Sequence, residues 1–153
     1  MTPDAVNALK TSYAGVAATP RQLASRFYEE MFAVAPNLRR LFPDDLFSLQ
    51  GHFEAALALV IRNLDEMSAL NESLRDLGAQ HVHWGARPED YVTAREALIA
   101  AIRSLSPAWT TTLEHEWRSA ITAIVIPMIE GAAVHTALAA ERLREDGETT
   151  SDS

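Results

Sequence analysis

The chain has 153 residues, 21 acidic against 13 basic side chains for a net charge of −8, no cysteine, and 48% apolar positions. Its length suits one domain that buries roughly two-thirds of the surface it exposes when unfolded. The charge repels nucleic acid and anionic membranes on average, and the lack of cysteine removes disulfides, thiolate catalysis and cysteine-bound zinc or iron–sulfur sites.

In chain order, the start Met1 to Val6 shows no basic segment followed by an apolar one, and the longest uninterrupted apolar run, Ala55 to Ile61, is far short of a membrane span. A cytoplasmic protein without a membrane partner is expected. Thr2-Pro3, Thr19-Pro20 and Ser106-Pro107 each place a hydroxyl that can cap a helix before a ring already fixed at helical φ. Pro36 and Pro88 open further helix-like segments behind Ala35 and Arg87, neither of which can cap with a side chain. These stops predict an all-α chain with helices over 3–17, 20–35, 37–42, 47–66, 69–82, 88–104 and 107–143, the last kinked near Ile124 by Pro127. No segment alternates with period two and no long repeat is visible. Residues 1–143 read as one domain. The acidic tail 144–153 has nothing apolar to bury and is expected to be disordered.

Leu70, Leu74, Leu77 and His81 recur at four, three and four residues, so His81 continues an apolar helix face. Read alone, such a histidine is core, hydrogen-bonded to a carbonyl. His83 points about 200° away and reads as solvated. On the preceding helix Leu49, Phe53, Ala56, Val60 and Leu64 form the apolar face, and His52 lies on its shoulder, about 60° from Leu49. Tyr28 falls among Leu23, Phe27, Met31 and Val34, where a tyrosine usually fills core with its hydroxyl at a rim. Two adjacent amphipathic helices, one offering His81 and the other Leu49 and Phe53, can form an apolar slot with a single nitrogen ligand, the arrangement that holds a haem.

Together these pieces resemble a globin, specifically the single-domain bacterial haemoglobins and the haem domain of flavohaemoglobins, with neuroglobin and cytoglobin more distant. The resemblance covers nearly the whole chain. Its anchors are Arg26 to Phe32, the corner Pro36 to Phe42, Asn63-Leu64-Asp65 and, most specific, Leu-Gly-x-x-His at 77–81 followed by Pro-Glu-x-Tyr at 88–91. Trp117 fits the aromatic of the family's last helix. The resemblance implies a globin fold of about seven helices around haem b. It further implies His81 as the proximal iron ligand with its other N–H on a backbone carbonyl, and Phe42 packed on the porphyrin. Tyr28 would face bound O₂, where one hydrogen bond contributes about 1–3 kcal/mol. Leu77, Leu49, Phe53 and Tyr91 complete the implied cofactor contacts.

The departures are informative. Counted back from Asn63, the distal position that is usually glutamine or histidine falls on Leu49, and a slip of one residue brings in Gln50 instead. A shifted helix would let His52 take the iron's sixth position. Tyr91 matches the flavohaemoglobin tyrosine, but Val134 stands where a glutamate belongs, with Glu130 and His135 nearby. His135 extends the stripe Leu113, Trp117, Ile121, Ile124, Met128 and is expected beside the pocket or at the end of the core. His115 reads as surface. The resemblance thus implies reversible binding of O₂, and of NO and CO, as in oxygen-binding or oxygen-transporting globins. The alternatives are NO dioxygenase chemistry, which needs an external reductase because no glycine-rich dinucleotide motif is present, and gas or redox sensing. Monomer and homodimer both stay open, since no exposed apolar stripe large enough to argue a dimer is read from the sequence.

Overall fold

The computed structural model describes residues 1–151, with side chains through residue 148. Among these the chain is helical throughout, with no strand: α1 (Pro3–Val16), α2 (Gln22–Val34), a 3₁₀ segment (Pro36–Leu41), α3 (Phe47–Arg62), a second 3₁₀ segment (Leu64–Leu70), α4 (Asn71–His83), α5 (Pro88–Leu105) and α6 (Thr111–Ser151).

The proline signals succeed at three starts and miss two. Thr2 caps α1, its hydroxyl accepting from the Ala5 N–H at 3.1 Å, and Pro36 and Pro88 open the 3₁₀ corner and α5. Behind Pro88, the Asp90 carboxylate accepts from the Arg87 N–H at 2.9 Å, so capping comes from inside the first turn. Thr19-Pro20 instead forms a turn. The first residue after it, Arg21, has φ 66°, and α2 is capped from another helix: Glu54 of α3 accepts from the Arg21 N–H at 2.9 Å and the Ala24 N–H at 3.2 Å. Ser106 turns back to close α5, donating to the Ile102 carbonyl at 2.7 Å, while Thr110 takes the N-terminal role for α6 by accepting from the Leu113 N–H at 3.1 Å. The single helix expected over 47–66 stops at Arg62, where the Asn63 side chain donates to the Leu59 carbonyl at 2.7 Å, and the 3₁₀ segment follows. At the other end α6 stays one helix across Pro127 and runs through Ser151. The stretch 141–146 contains only good helix formers and aspartate, with no proline to stop it, so helical conformation continues past the last apolar residue; residues 152 and 153 of the expected disordered tail lie outside the described residues.

Two crossings set the frame, α2 on α5 and α4 on α6. The core between them joins Leu9, Leu23, Ile99, Ile102 and Trp117, all almost completely buried. The Trp117 indole N–H is satisfied by the Ser12 hydroxyl of α1 at 3.0 Å. α4 and α6 meet backbone to backbone. A β-carbon on Gly78 would overlap the Met128 carbonyl, and one on Gly131 would overlap the Arg75 carbonyl, so each helix presents a glycine to the other's main chain. This contact fixes where α4, and with it His81, sits relative to the core. α3 and α4 make no extensive contact with each other.

Candidate functional site

The candidate residues come from α2, the corner that follows it, α3, α4 and α5. α4 contributes His81, which is half-buried, and Leu77, whose side chain packs with the small cluster of Leu74, Tyr91 and Met128. The imidazole Nδ1 lies 2.8 Å from the Leu77 carbonyl oxygen. A carbonyl only accepts, so Nδ1 carries the proton and Nε2 keeps a free lone pair. Burial holds the His81 pKa below its ordinary value, against the smaller opposing pull of that carbonyl, so the ring is neutral at pH 7. Trp84 and Tyr91 flank it at ring-centroid distances of 5.1 and 6.2 Å.

A second group is an aromatic cluster. Tyr28 of α2 contacts Phe27 at 5.2 Å, Phe42 at 5.5 Å, Phe32 at 5.9 Å and Phe53 at 6.2 Å, and Phe27 stacks on Phe53 of α3 at 4.6 Å. Burial raises the Tyr28 pKa above its ordinary value of 10.0, so the hydroxyl is protonated and able to donate at any physiological pH. Phe42 is held by its own corner: the Arg39 guanidinium donates to the carbonyls of Phe42, Pro43 and Asp44 at 3.3, 2.9 and 3.0 Å. Leu49 and Phe53, one turn apart on α3, are half-buried against this cluster. Gln50 is also half-buried, on the other flank of Phe53, whereas His52 is exposed.

The structure therefore brings Tyr28, Phe42, Leu49 and Phe53 into one wall and His81, Leu77 and Tyr91 into another. His52 joins neither, and His83 and His115 are exposed as expected. His135 neither packs beside the site nor ends the core: it is exposed and, with Ala79, Gln80, His83 and Trp84, lines an outer surface cavity of about 370 Å³. The reason is the glycine contact, which turns the Gly131 face of α6 toward α4; His135, four residues on, lies beyond the end of that contact. Val134 is 60% exposed, and Glu130 is drawn to Arg75 of α4 at 3.2 Å, so neither approaches Tyr91 as a carboxylate partner. The Tyr91 hydroxyl is buried with no hydrogen-bond partner. Glu54 and Arg39, which position α2 and the corner, are not singled out by the sequence: the amides that Glu54 takes lie some thirty residues away, and the carbonyls that Arg39 takes belong to no particular residue type.

A neutral imidazole with one free nitrogen, flanked by Trp84 and Tyr91, together with a separate cluster of half-buried aromatic and apolar side chains on α2, α3 and the corner, suits a planar iron porphyrin. A family model for globins matches residues 25–128, and the chain belongs to the globin family. That membership implies haem as the prosthetic group, and the site residues fit it. The chain is 25% identical over 125 residues to a flavohemoprotein of Vibrio cholerae, covering 78% of this chain and 32% of that one. It is 30% identical over 74 residues to neuroglobin of Danio rerio, covering 48% and 46%. It thus spans about a third of the length of the Vibrio flavohemoprotein. Among solved structures, an engineered carbene transferase derived from a putative nitric oxide dioxygenase of Rhodothermus marinus has a TM-score of 0.77 at 23% identity, covering 91% of this chain and 99% of that one, and shares the fold.

Proposed function

We propose that this globin binds haem b through Nε2 of His81 and takes O₂ reversibly, with NO and CO as further ligands, Tyr28 donating a hydrogen bond to the ligand. The observation that carries the reading is the His81 ring: pinned by the Leu77 carbonyl, neutral by burial, with a single free nitrogen. Haem, when bound, supplies an iron atom that takes diatomic gases. The chain's own residues do the rest. The Leu77 carbonyl fixes the tautomer and rotation of the imidazole, as the outer partners of metal-ligating histidines do. Leu49, Phe53 and Phe42 exclude water, and Phe27, Phe32 and Phe53 hold the Tyr28 ring. Of the two distal candidates, Leu49 is preferred over Gln50 because it lies one turn before Phe53 on the same face.

Reversible binding is favoured over NO dioxygenase chemistry with a separate reductase, and over sensing. The specific support is on the proximal side: Glu130 is engaged by Arg75, Val134 is exposed, and the Tyr91 hydroxyl has no partner, so no carboxylate draws a proton from the His81 environment through Tyr91. His52 is left out of the iron's ligand set because it is exposed. The test is the absorption spectrum of haem-reconstituted protein. The wild type should show a Soret band with oxygenated and CO forms, and His81→Ala should lose or greatly loosen the haem; an unchanged spectrum in that variant overturns the assignment.

A further inference from the structure

Arg21 occupies a position whose backbone suits glycine. Its φ of 66° is the left-handed conformation that residues with a β-carbon rarely adopt, and glycine or asparagine would sit there at lower cost. A residue in such a conformation persists because its surroundings hold it, and strain of this kind gathers at positions that organise a site. The Arg21 N–H supplies part of the hold through the Glu54 carboxylate at 2.9 Å. The side chain supplies the rest. Its guanidinium lies over the Phe47 ring with Cζ 3.7 Å from the ring centroid, and its Nε donates to the Phe47 carbonyl at 3.4 Å. Its Nη2 rests 3.3 Å from where a β-carbon on Gly51 would stand. Gly51, which by itself weakens a helix interior, is thus the seat on which the guanidinium lies.

The part of α3 held in this way is the part that carries Leu49 and Phe53. The buried side chains of α3, Leu57, Val60 and Ile61, all lie in its second half. Leu49 and Phe53 are in the first half, packed against the aromatic cluster, while Ser48, His52 and Ala55 are exposed. At 100° per residue, Phe47, Gly51 and Glu54 fall about 150° around the helix from Leu49 and Phe53, on its back. Along that back, α1 and α2 meet α3 at Glu54: the Tyr13 hydroxyl donates to the Glu54 main-chain carbonyl at 3.4 Å, and the carboxylate takes the amides of Arg21 and Ala24. Toward the helix start, the Arg21 side chain extends the same line of attachment over Gly51 to Phe47. We infer that Arg21 is a positioning residue for the distal wall: its side chain tethers the first two turns of α3 from behind, limits how far Leu49 and Phe53 move, and so sets how readily a gas ligand passes them. The inference rests on the ligand-binding reading, because the tether bears on function only where a ligand crosses that wall.

Amide hydrogen exchange of the full chain, with and without haem, reads the tether directly. Arg21→Met, Arg21→Gly and Phe47→Leu should each speed exchange of amides 50–56 about three- to tenfold, with 57–62 and α4 at the wild-type rate. Glycine relieves the strained φ whereas methionine keeps it, so the two variants should differ in global stability yet agree in local exchange. Arg21→Lys, which returns a cation above the ring, should recover part of the protection. Arg21→Met combined with Phe47→Leu should exchange no faster than either alone, since both break one contact. In the haem-loaded protein, Arg21→Met should raise the CO association and dissociation rates by one common factor and leave the affinity unchanged, the mark of an altered path rather than altered contacts with bound ligand. Faster exchange along the whole chain, wild-type exchange at 50–56, additive effects in the double variant, or a CO affinity that shifts while association stays fixed each overturns the inference. A protein that takes up no haem would instead sink the ligand-binding reading, and the exchange comparison would still decide the tether.

Discussion

Glu54 is the residue through which α3 holds α2, and its removal is the sharpest test of how the distal wall is built. Its carboxylate takes two main-chain N–H groups at the start of α2, at 2.9 and 3.2 Å, and so holds Arg21 in the left-handed conformation at φ 66°. Losing an N-cap costs about 0.5–2 kcal/mol, and the negative charge at a helix N-terminus adds about 0.3–1 kcal/mol. The site is only partly buried, so water recovers some of the loss, and a total of about 2 kcal/mol is expected for Glu54→Ala. Glu54→Gln keeps one acceptor oxygen without the charge and should lose about half as much. Urea unfolding should show the midpoint moving with an unchanged slope, and the thermal midpoint should fall by about 4–8 °C for the alanine variant. A loss below about 0.5 kcal/mol for Glu54→Ala would refute the idea that this carboxylate caps α2.

Gly131→Ala and Gly78→Ala each force a methyl into the facing helix backbone; an overpacking penalty of about 1–3 kcal/mol is expected, with faster haem transfer to an excess of acceptor protein because His81 moves with α4. Transfer rates equal to wild type in both variants would show that the crossing does not set His81. Tyr28→Phe should speed O₂ dissociation roughly ten- to hundredfold in flash photolysis or stopped flow, and an unaltered rate would mean the hydroxyl does not reach the ligand. The Glu96 carboxyl is held below its ordinary range chiefly by its hydrogen bonds from Arg118 at 2.6 and 3.0 Å. A depressed carboxylate pKa contributes stability above the unfolded value of about 4.5 and loses it as the pH falls through the folded value. Since both side chains are more than a third exposed, Glu96→Gln should cost at most about 1 kcal/mol at pH 7, with the gap to wild type closing as the pH falls below about 4. A gap that persists to pH 3 would sink that account.

What the sequence determines by itself is local. A hydroxyl before proline, or a leucine stripe ending in histidine, constrains neighbours within one or two turns, and those constraints give the helices, the placement of His81 on an apolar face and the likeness of 77–91 to a globin. Thr2 caps α1 and Pro88 opens α5 as their spacing says, because the first turn that each acts on is adjacent in sequence. Only the tertiary structure decides features whose partners are distant in sequence. Thr19-Pro20 looks like a cap and is not one, since a carboxylate some thirty residues downstream takes the amides first. Gly78 and Gly131 read as weak points in helices and are instead the contact that seats α4. His135 and Val134 share a helix with buried residues yet are exposed, because helical periodicity gives the angle between side chains and not where along the helix the neighbouring element ends. That extent is set by where the two backbones can approach closely, a property of two elements together that neither segment's sequence states alone.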